Sequence, residues 1–231
     1  MKLKTCRVIL VVCLFFVTTA AVNAQYKLTA KVGVEFTFIE LSHMSIQTNR
    51  GPFTMAFGAG LGYFNTVHFG CRVGNDYLSE FGVGLALGHY KFEYLKHSQP
   101  RLKANRKLLY LARWFEMNLP IQVGVGAQFN FYHLDFKREE IDPSNLEQSI
   151  EVASSWKGIG MDWRGMLRGS FGKTNAHELM GYLAIGIDRL GYDTGSIDGE
   201  ELEFTTYPKE WPMIYRLGLS YGYTFGRKER E

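Results

Sequence analysis

Several ordinary features are missing from this chain, and each absence excludes something. After residue 24 there is no run of roughly eighteen consecutive apolar residues, so no membrane-spanning helix is encoded there. Cysteine is scarce, with three in 231 residues. Cys6 and Cys13 fall in the N-terminal segment, and Cys71 alone makes neither an internal disulfide nor a metal site. An excess of one charge is also lacking. The net charge is +3, and Lys2, Lys4 and Arg7 account for all of it, so the remaining basic residues match the 23 acidic ones. Nothing in that balance marks a nucleic-acid partner, and none is expected.

The N-terminal segment has the layout of a cleaved export signal. Lys2, Lys4 and Arg7 form a basic start, 8–17 is an apolar stretch, and Val22-Asn23-Ala24 supplies the small residues a signal peptidase reads. Residues 1–24 are therefore expected to be removed. Residues 25–231 are expected to form one domain.

What fills that domain is alternation. Leu28, Ala30, Val32, Val34, Phe36 and Phe38 share one face, and Lys27, Thr29, Lys31, Gly33, Glu35 and Thr37 share the other. A strand places residues i and i+2 on the same side, so this is an amphipathic strand. The same period runs through 53–63, 81–88, 115–131, 159–168, 179–188 and 213–225, and a shorter, weaker run covers 67–73. The fold expected is all-β: an up-and-down antiparallel barrel of eight strands, or ten if the long run breaks near Pro120. Closure removes the exposed edges.

Three features turn the apolar face toward lipid. Several runs reach the ten or so residues that cross a bilayer at a tilt. The other face carries Lys31, Glu35, Glu116, Asp162, Arg164, Arg168, Asp188 and Arg216 among many glycines. This suits a narrow lumen in which charges pair and glycine leaves room for long side chains. Trp114, Trp163, Tyr215, Tyr221, Tyr223 and Phe225 are placed to form aromatic girdles near strand ends. With both termini in the periplasm, the connections 42–52, 132–155 and 192–212 fall outside, and the short turn 173–177 falls inside. That is the usual asymmetry of such barrels. The polar segment 96–107 breaks the pattern, because an eight-strand count puts it on the inner side.

The chain resembles the small outer-membrane β-barrel proteins of Bacteroidota, the PorT-like or outer-membrane β-barrel domain proteins. The resemblance is carried by the Ala24-Gln25 start, by Phe115-Glu116-Met117-Asn118-Leu119-Pro120, and by the closing strand Leu217-Gly218-Leu219-Ser220-Tyr221-Gly222-Tyr223-Thr224-Phe225. Two departures stand out. Three residues separate Glu116 from Pro120, and a polar tail follows Phe225. The resemblance implies the cell outer membrane, contact with its lipid, and handling by the barrel-assembly machinery during insertion. It implies no single activity.

The chemical motifs are thin. Gly58-Ala59-Gly60-Leu61-Gly62 lies inside an alternating strand with no helix behind it, which excludes a phosphate loop. Asp193-Thr194-Gly195 occurs once, whereas aspartic-protease chemistry needs two such carboxylates. It reads as a turn. The acidic stretch 193–210 has no EF-hand spacing. Ser42, His43 and Asp135 are the one conceivable nucleophile–base–orienter set, and nothing in their spacing requires them to meet. No cofactor, metal or enzymatic activity is expected. The role expected is structural or surface-binding, through the outer connections 132–155 and 192–212 and an extracellular or envelope partner. The alternatives are a small solute pore and an outer-membrane enzyme.

Overall fold

The computed structural model describes residues 26–48, 51–74, 78–92, 101–117, 121–142, 145–172, 175–197, 199–201 and 209–225. For 41–48, 51–58, 138–142, 145–150 and a few neighbours it describes the backbone alone. The export segment and the polar tail lie outside these residues.

Ten strands form one antiparallel sheet: β1 (Tyr26–Thr48), β2 (Gly51–Val73), β3 (Ser79–Phe92), β4 (Arg101–Phe115), β5 (Ile121–Asp142), β6 (Asn145–Phe171), β7 (His177–Ile197), β8 (Glu200–Glu201), β9 (Lys209–Glu210) and β10 (Met213–Phe225). Each of β1 to β7 pairs with the next, β7 also pairs with β10, and β10 pairs with β1. Eight strands thus close into a barrel, while β8 and β9 hang on the end of β7.

The strands end at two unlike levels. At the terminal end lie Tyr26, Phe225 and the connections after Val73, Phe115 and Phe171. Between β6 and β7 the turn is tight: Gly172 and Asn175 both take positive φ, and the Asn175 amide donates to the Gly172 carbonyl at 3.1 Å. At the far end β1, β2, β5, β6 and β7 run on, with lengths of 23, 23, 22, 27 and 21 residues. About ten residues suffice to cross a bilayer, so much of each strand projects beyond one.

The barrel differs from the expected strand list in three ways, although the count of eight stands. The runs 53–63 and 67–73 are one strand, β2. The run 115–131 is not one strand: β4 ends at Phe115 and β5 begins at Ile121, with Pro120 in the connection between them. Proline lacks the amide a central strand must donate. Most of the segment 96–107, expected as a connection, belongs to β4, which starts at the far end. Its polar character therefore no longer conflicts with the asymmetry of the two ends. The connection 132–155 is largely the paired continuation of β5 and β6, and Asp193-Thr194-Gly195 lies in β7 rather than in a turn. Asp193 is the extra residue where the β6–β7 register shifts.

One physical cause underlies these differences. Near the terminal end the outer face of β5 carries Ile121, Val125, Phe129 and Phe131. Beyond them the same face carries His133, Asp135 and Lys137, while Tyr132, Leu134 and Phe136 turn inward and are buried. The alternation continues with its polarity inverted. The same inversion splits β4: Lys103, Asn105 and Lys107 point outward above Leu109 and Leu111, and Leu102 and Ala104 are buried inside. Below the inversion the exterior is apolar, and above it the exterior is polar, as expected where a wall leaves lipid for water.

The interior is layered to match. An apolar cluster that includes Ile39, Phe64, Tyr90, Phe92, Leu134 and Trp156 fills the lumen toward the far end. Buried charges fill the level below. The outer belt is the reverse of a soluble core, with Leu61, Leu183, Leu217 and Trp163 exposed on it. So large a contiguous exposed apolar surface needs an apolar partner.

Candidate functional site

The alternation that turns Leu28, Val32 and Phe36 outward turns Lys31 and Glu35 into the lumen, where neither meets water. Six buried cations (Lys31, Arg72, Arg106, Arg164, Arg168 and Arg216) share the interior with five buried carboxylates (Glu35, Glu80, Asp162, Glu178 and Asp188). Burial of a charge is tolerable only when it is paired and hydrogen-bonded, and the pairs form two clusters.

The upper cluster centres on Glu35. Its carboxylate accepts from Arg106 Nη2 at 2.6 Å, Tyr182 Oη at 2.5 Å and Thr37 Oγ1 at 3.0 Å. Arg216 Nε lies 3.5 Å away and Arg164 Nη2 3.7 Å away. Arg216 donates to Asp162 and to the Tyr132 hydroxyl, and reaches Asp188 Oδ2 at 3.2 Å. Asn130 holds Asp162 Oδ2 at 2.9 Å. The Arg164 guanidinium lies over the Tyr182 ring at 4.2 Å, so the cation that Glu35 neutralises least closely also has an aromatic face.

The lower cluster centres on Glu80. It accepts from Lys31, from Arg72 Nε at 3.0 Å, from Tyr110 Oη at 2.9 Å and from Trp114 Nε1 at 3.2 Å. Arg72 spans from Glu80 to Glu178, donating to the latter through both terminal nitrogens. Arg168 Nη1 sits 3.5 Å from Glu80, its Nε donates to Gln122 at 2.5 Å, and its guanidinium lies over Trp114 at 4.1 Å. Each cluster draws on strands from opposite walls, so the pairs cross the lumen rather than line it.

Glycine makes this density possible. A Cβ on Gly218 would overlap the Tyr182 ring that donates to Glu35, and one on Gly124 would lie 2.7 Å from Trp114 Cε3. Gly218→Val is expected to displace Tyr182 and cost about 1–3 kcal/mol, the usual range for overpacking. Urea unfolding in lipid vesicles reads this; an unchanged midpoint would mean Tyr182 has room to move.

Seven of the eight charges read from the sequence lie in these clusters. Glu116 does not: it follows the end of β4 and is exposed. The alternation of 115–131 runs on past Phe115, where β4 stops. Arg72, Glu80, Arg106 and Glu178 are the lumen charges the sequence reading missed. Glu80 and Glu178 each sit one position before a recognised run, and Arg72 lies inside the weak one, all at lumen-facing parity. Arg106 sits in the strand whose alternation inverts. Of the expected girdle residues, Trp114 is buried in the lumen and Trp163 stands near the middle of the belt. Tyr221, Tyr223 and Phe225 do gather at the terminal end with Phe171 and His177. The His177 and Tyr221 rings stack there at 6.0 Å, with Nδ1 and the hydroxyl 2.6 Å apart.

For the enzyme alternative, the described side chains place His133 and Asp135 on β5. His133 Nε2 lies 3.3 Å from Asp135 Oδ1, but both are exposed on the outer face of β5. Ser42 and His43 lie on β1, four strands away around an eight-strand ring and hence on the opposite wall; their side chains are outside the described ones. Asp193 pairs with Lys157 at 2.6 Å, and Asp198 and Glu203 of the acidic stretch 193–210 lie outside the described residues. Among those described, no group of three His, Cys, Asp or Glu side chains is placed to hold a metal.

No family model matches the chain, and no curated protein matches it. The chain is similar to outer-membrane proteins of known structure. Neisserial surface protein A shares 13% identity over 87% of this chain and 98% of its own, with a TM-score of 0.48. The outer-membrane protein AlkL, solved in lipid bilayers, shares 14% over 90% of this chain and 93% of its own, also at 0.48. Ail, the attachment invasion locus protein of Yersinia pestis, shares 10% over 87% and 99%, at 0.38. These likenesses concern the shape of the chain alone, and the barrel rests on its own strand pairing.

Proposed function

We propose that this chain is an outer-membrane barrel with a sealed lumen, and that it acts through the sheet projecting from its far end, as a structural or surface-binding protein. The observation that carries this reading is the interior itself. Two cross-lumen ion-pair clusters sit beneath an apolar layer in which Ile39, Phe64, Tyr90 and Phe92 are almost wholly inaccessible. Eight strands enclose space for side chains and little else. The charges hold opposite walls together, and a continuous solute path would require breaking them.

In this reading both termini are periplasmic and the extended strands face outward, which puts long segments outside and short turns inside. Residues 132–155 and 192–212 remain the proposed contact surface for an extracellular or envelope partner, with their described parts largely paired strand rather than loop. Kinship with the Bacteroidota barrels rests on the closing strand and the Ala24-Gln25 start, because Phe115–Pro120 spans a strand end rather than a middle strand.

Planar-bilayer recording tests the sealed lumen. The wild-type protein is expected to give no discrete conductance steps; steady single-channel steps would establish the pore instead. Shortening the β5–β6 projection by removing 138–150 is expected to leave the barrel resistant to SDS until it is boiled. If it instead unfolds the barrel, the projection belongs to the core fold and is not a separable contact surface.

A further inference from the structure

Outward-facing cations are distributed very unevenly around this barrel. Among the described side chains, exposed Lys91, Lys103, Lys107, Lys137, Lys157 and Arg189 all lie on β3 to β7 toward the far end. Among the described side chains the outward positions of β1, β2 and β10 hold none, and at the terminal end the one exposed cation described is Arg113, bonded to Ser79 at 2.8 Å. The strand register turns this wall into a site. His89 opposes Lys103, Lys103 opposes Asp135, Asp135 opposes Ser155, and Ser155 opposes Thr194, a single transverse row over five strands. That row floors an open cavity of about 1010 Å³, with Lys137 and Glu201 also in its wall.

Some of these cations are already matched. Lys137 pairs with Glu151 at 2.9 Å, Lys157 with Asp193 at 2.6 Å, and Arg189 lies over Trp211 at 5.4 Å. Among the described residues no ion pair within 4 Å engages Lys103 or Lys107; the carboxylate opposite Lys103, Asp135, lies 3.3 Å from His133 Nε2 instead. The two lysines lie on the same face of β4, and below Lys107 that face becomes Leu109 and Leu111. Lys107 is flanked in its own row by Leu85 and Phe131. A molecule that met these lysines with its anionic part would have its apolar part against the belt. Such a molecule is an anionic amphiphile.

The geometry points to a binding site on β3–β7 for the phosphate headgroup of a membrane lipid, held by Lys103, Lys107 and His89, with its acyl chains lying along Leu85, Leu109 and Phe131. The cavity and the exposed Thr194 hydroxyl leave room for a polyhydroxylated headgroup beside the phosphate. This rests on the membrane reading above, because an acyl chain can reach Leu109 only if the belt lies in a bilayer.

The test uses the full chain, reconstituted in phosphatidylcholine nanodiscs doped with lipid A as the phosphorylated probe, then released into detergent and weighed by native mass spectrometry. Wild type is expected to retain lipid A and not its dephosphorylated form. Lys103→Ala with Lys107→Ala is expected to lower retention about thirtyfold, as for two lysines at an anionic surface. Arg113→Ala, at the other end, is expected to change nothing. Equal retention by the double variant, or equal retention of the dephosphorylated lipid, would overturn the site. Displacement by millimolar inorganic phosphate would also overturn it, by making it a soluble-anion site. Unboiled SDS migration of the same samples reports the barrel separately, so failure of the membrane reading cannot pass for failure of the lipid site.

Discussion

Glu35→Ala is expected to destabilise the barrel by about 3–5 kcal/mol, the cost of breaking a buried ion pair by removing one partner. Among the described residues Glu35 is the only carboxylate in contact with Arg106, and that guanidinium has no exposed surface. Arg216 would keep Asp162 and Asp188, and Arg164 would keep the Tyr182 ring, so the loss falls mainly on Arg106. Glu35→Gln, which retains much of the shape but not the charge, is expected to lose most of the same amount. The exposed pair of Lys137 and Glu151 gives the scale: its removal is expected to change stability by about 0–1 kcal/mol, because water screens both groups. Urea titration in lipid vesicles, followed by tryptophan fluorescence, separates the two cases. A Glu35→Ala midpoint within error of wild type would mean that the interior reorganises around Arg106 and that the cross-lumen pairs do not hold the walls.

Leu183→Arg is the second large effect. Leu183 is 66% exposed near the middle of β7, opposite Gly165 on one side and Leu217 on the other. On a soluble protein, an exposed leucine far from any partner can be replaced within about 0.5 kcal/mol. On the lipid face at mid-bilayer, arginine costs about 2–4 kcal/mol. The same substitution at Asp135, beyond the inversion on β5, is expected to be nearly neutral, because that position faces water. The pair of variants therefore measures the boundary between lipid and water on the barrel wall. Equal tolerance at both positions would mean that the belt is not lipid-facing.

How far the sequence reveals this fold follows from where polarity is consistent along a strand. In β1, β6, β7 and β10 the lipid-facing stretch is long enough for period two to dominate, and the faces assigned from sequence match the observed ones. In β4 the inversion falls mid-strand. Lys103, Asn105 and Lys107 share a face with Leu109 and Leu111, while the lumen face carries Leu102, Ala104, Leu108, Tyr110 and Trp114 around Arg106, so the two faces do not separate into apolar and polar and a period count misses the strand. The same inversion made the ends of β5 and β6 look like a loop. Period two holds throughout these strands, and the outer face is apolar only below the inversion. Closure and register supply the rest. Nothing local says that Glu35 on β1 meets Arg106 on β4 and Tyr182 on β7, because those contacts exist only across a closed lumen.

The central claim is that the apolar belt faces acyl chains. Trp163 reads it directly, being 63% exposed on that belt, whereas Trp114 and Trp156 are sealed inside and Trp211 lies at the far end. Reconstituted protein is measured in vesicles whose lipids carry bromine deep in the acyl chain. The account predicts strong quenching of wild-type fluorescence and loss of most of the quenchable signal in Trp163→Phe. Fluorescence that the brominated lipid leaves unchanged in wild type would contradict it, and would place the belt outside the bilayer.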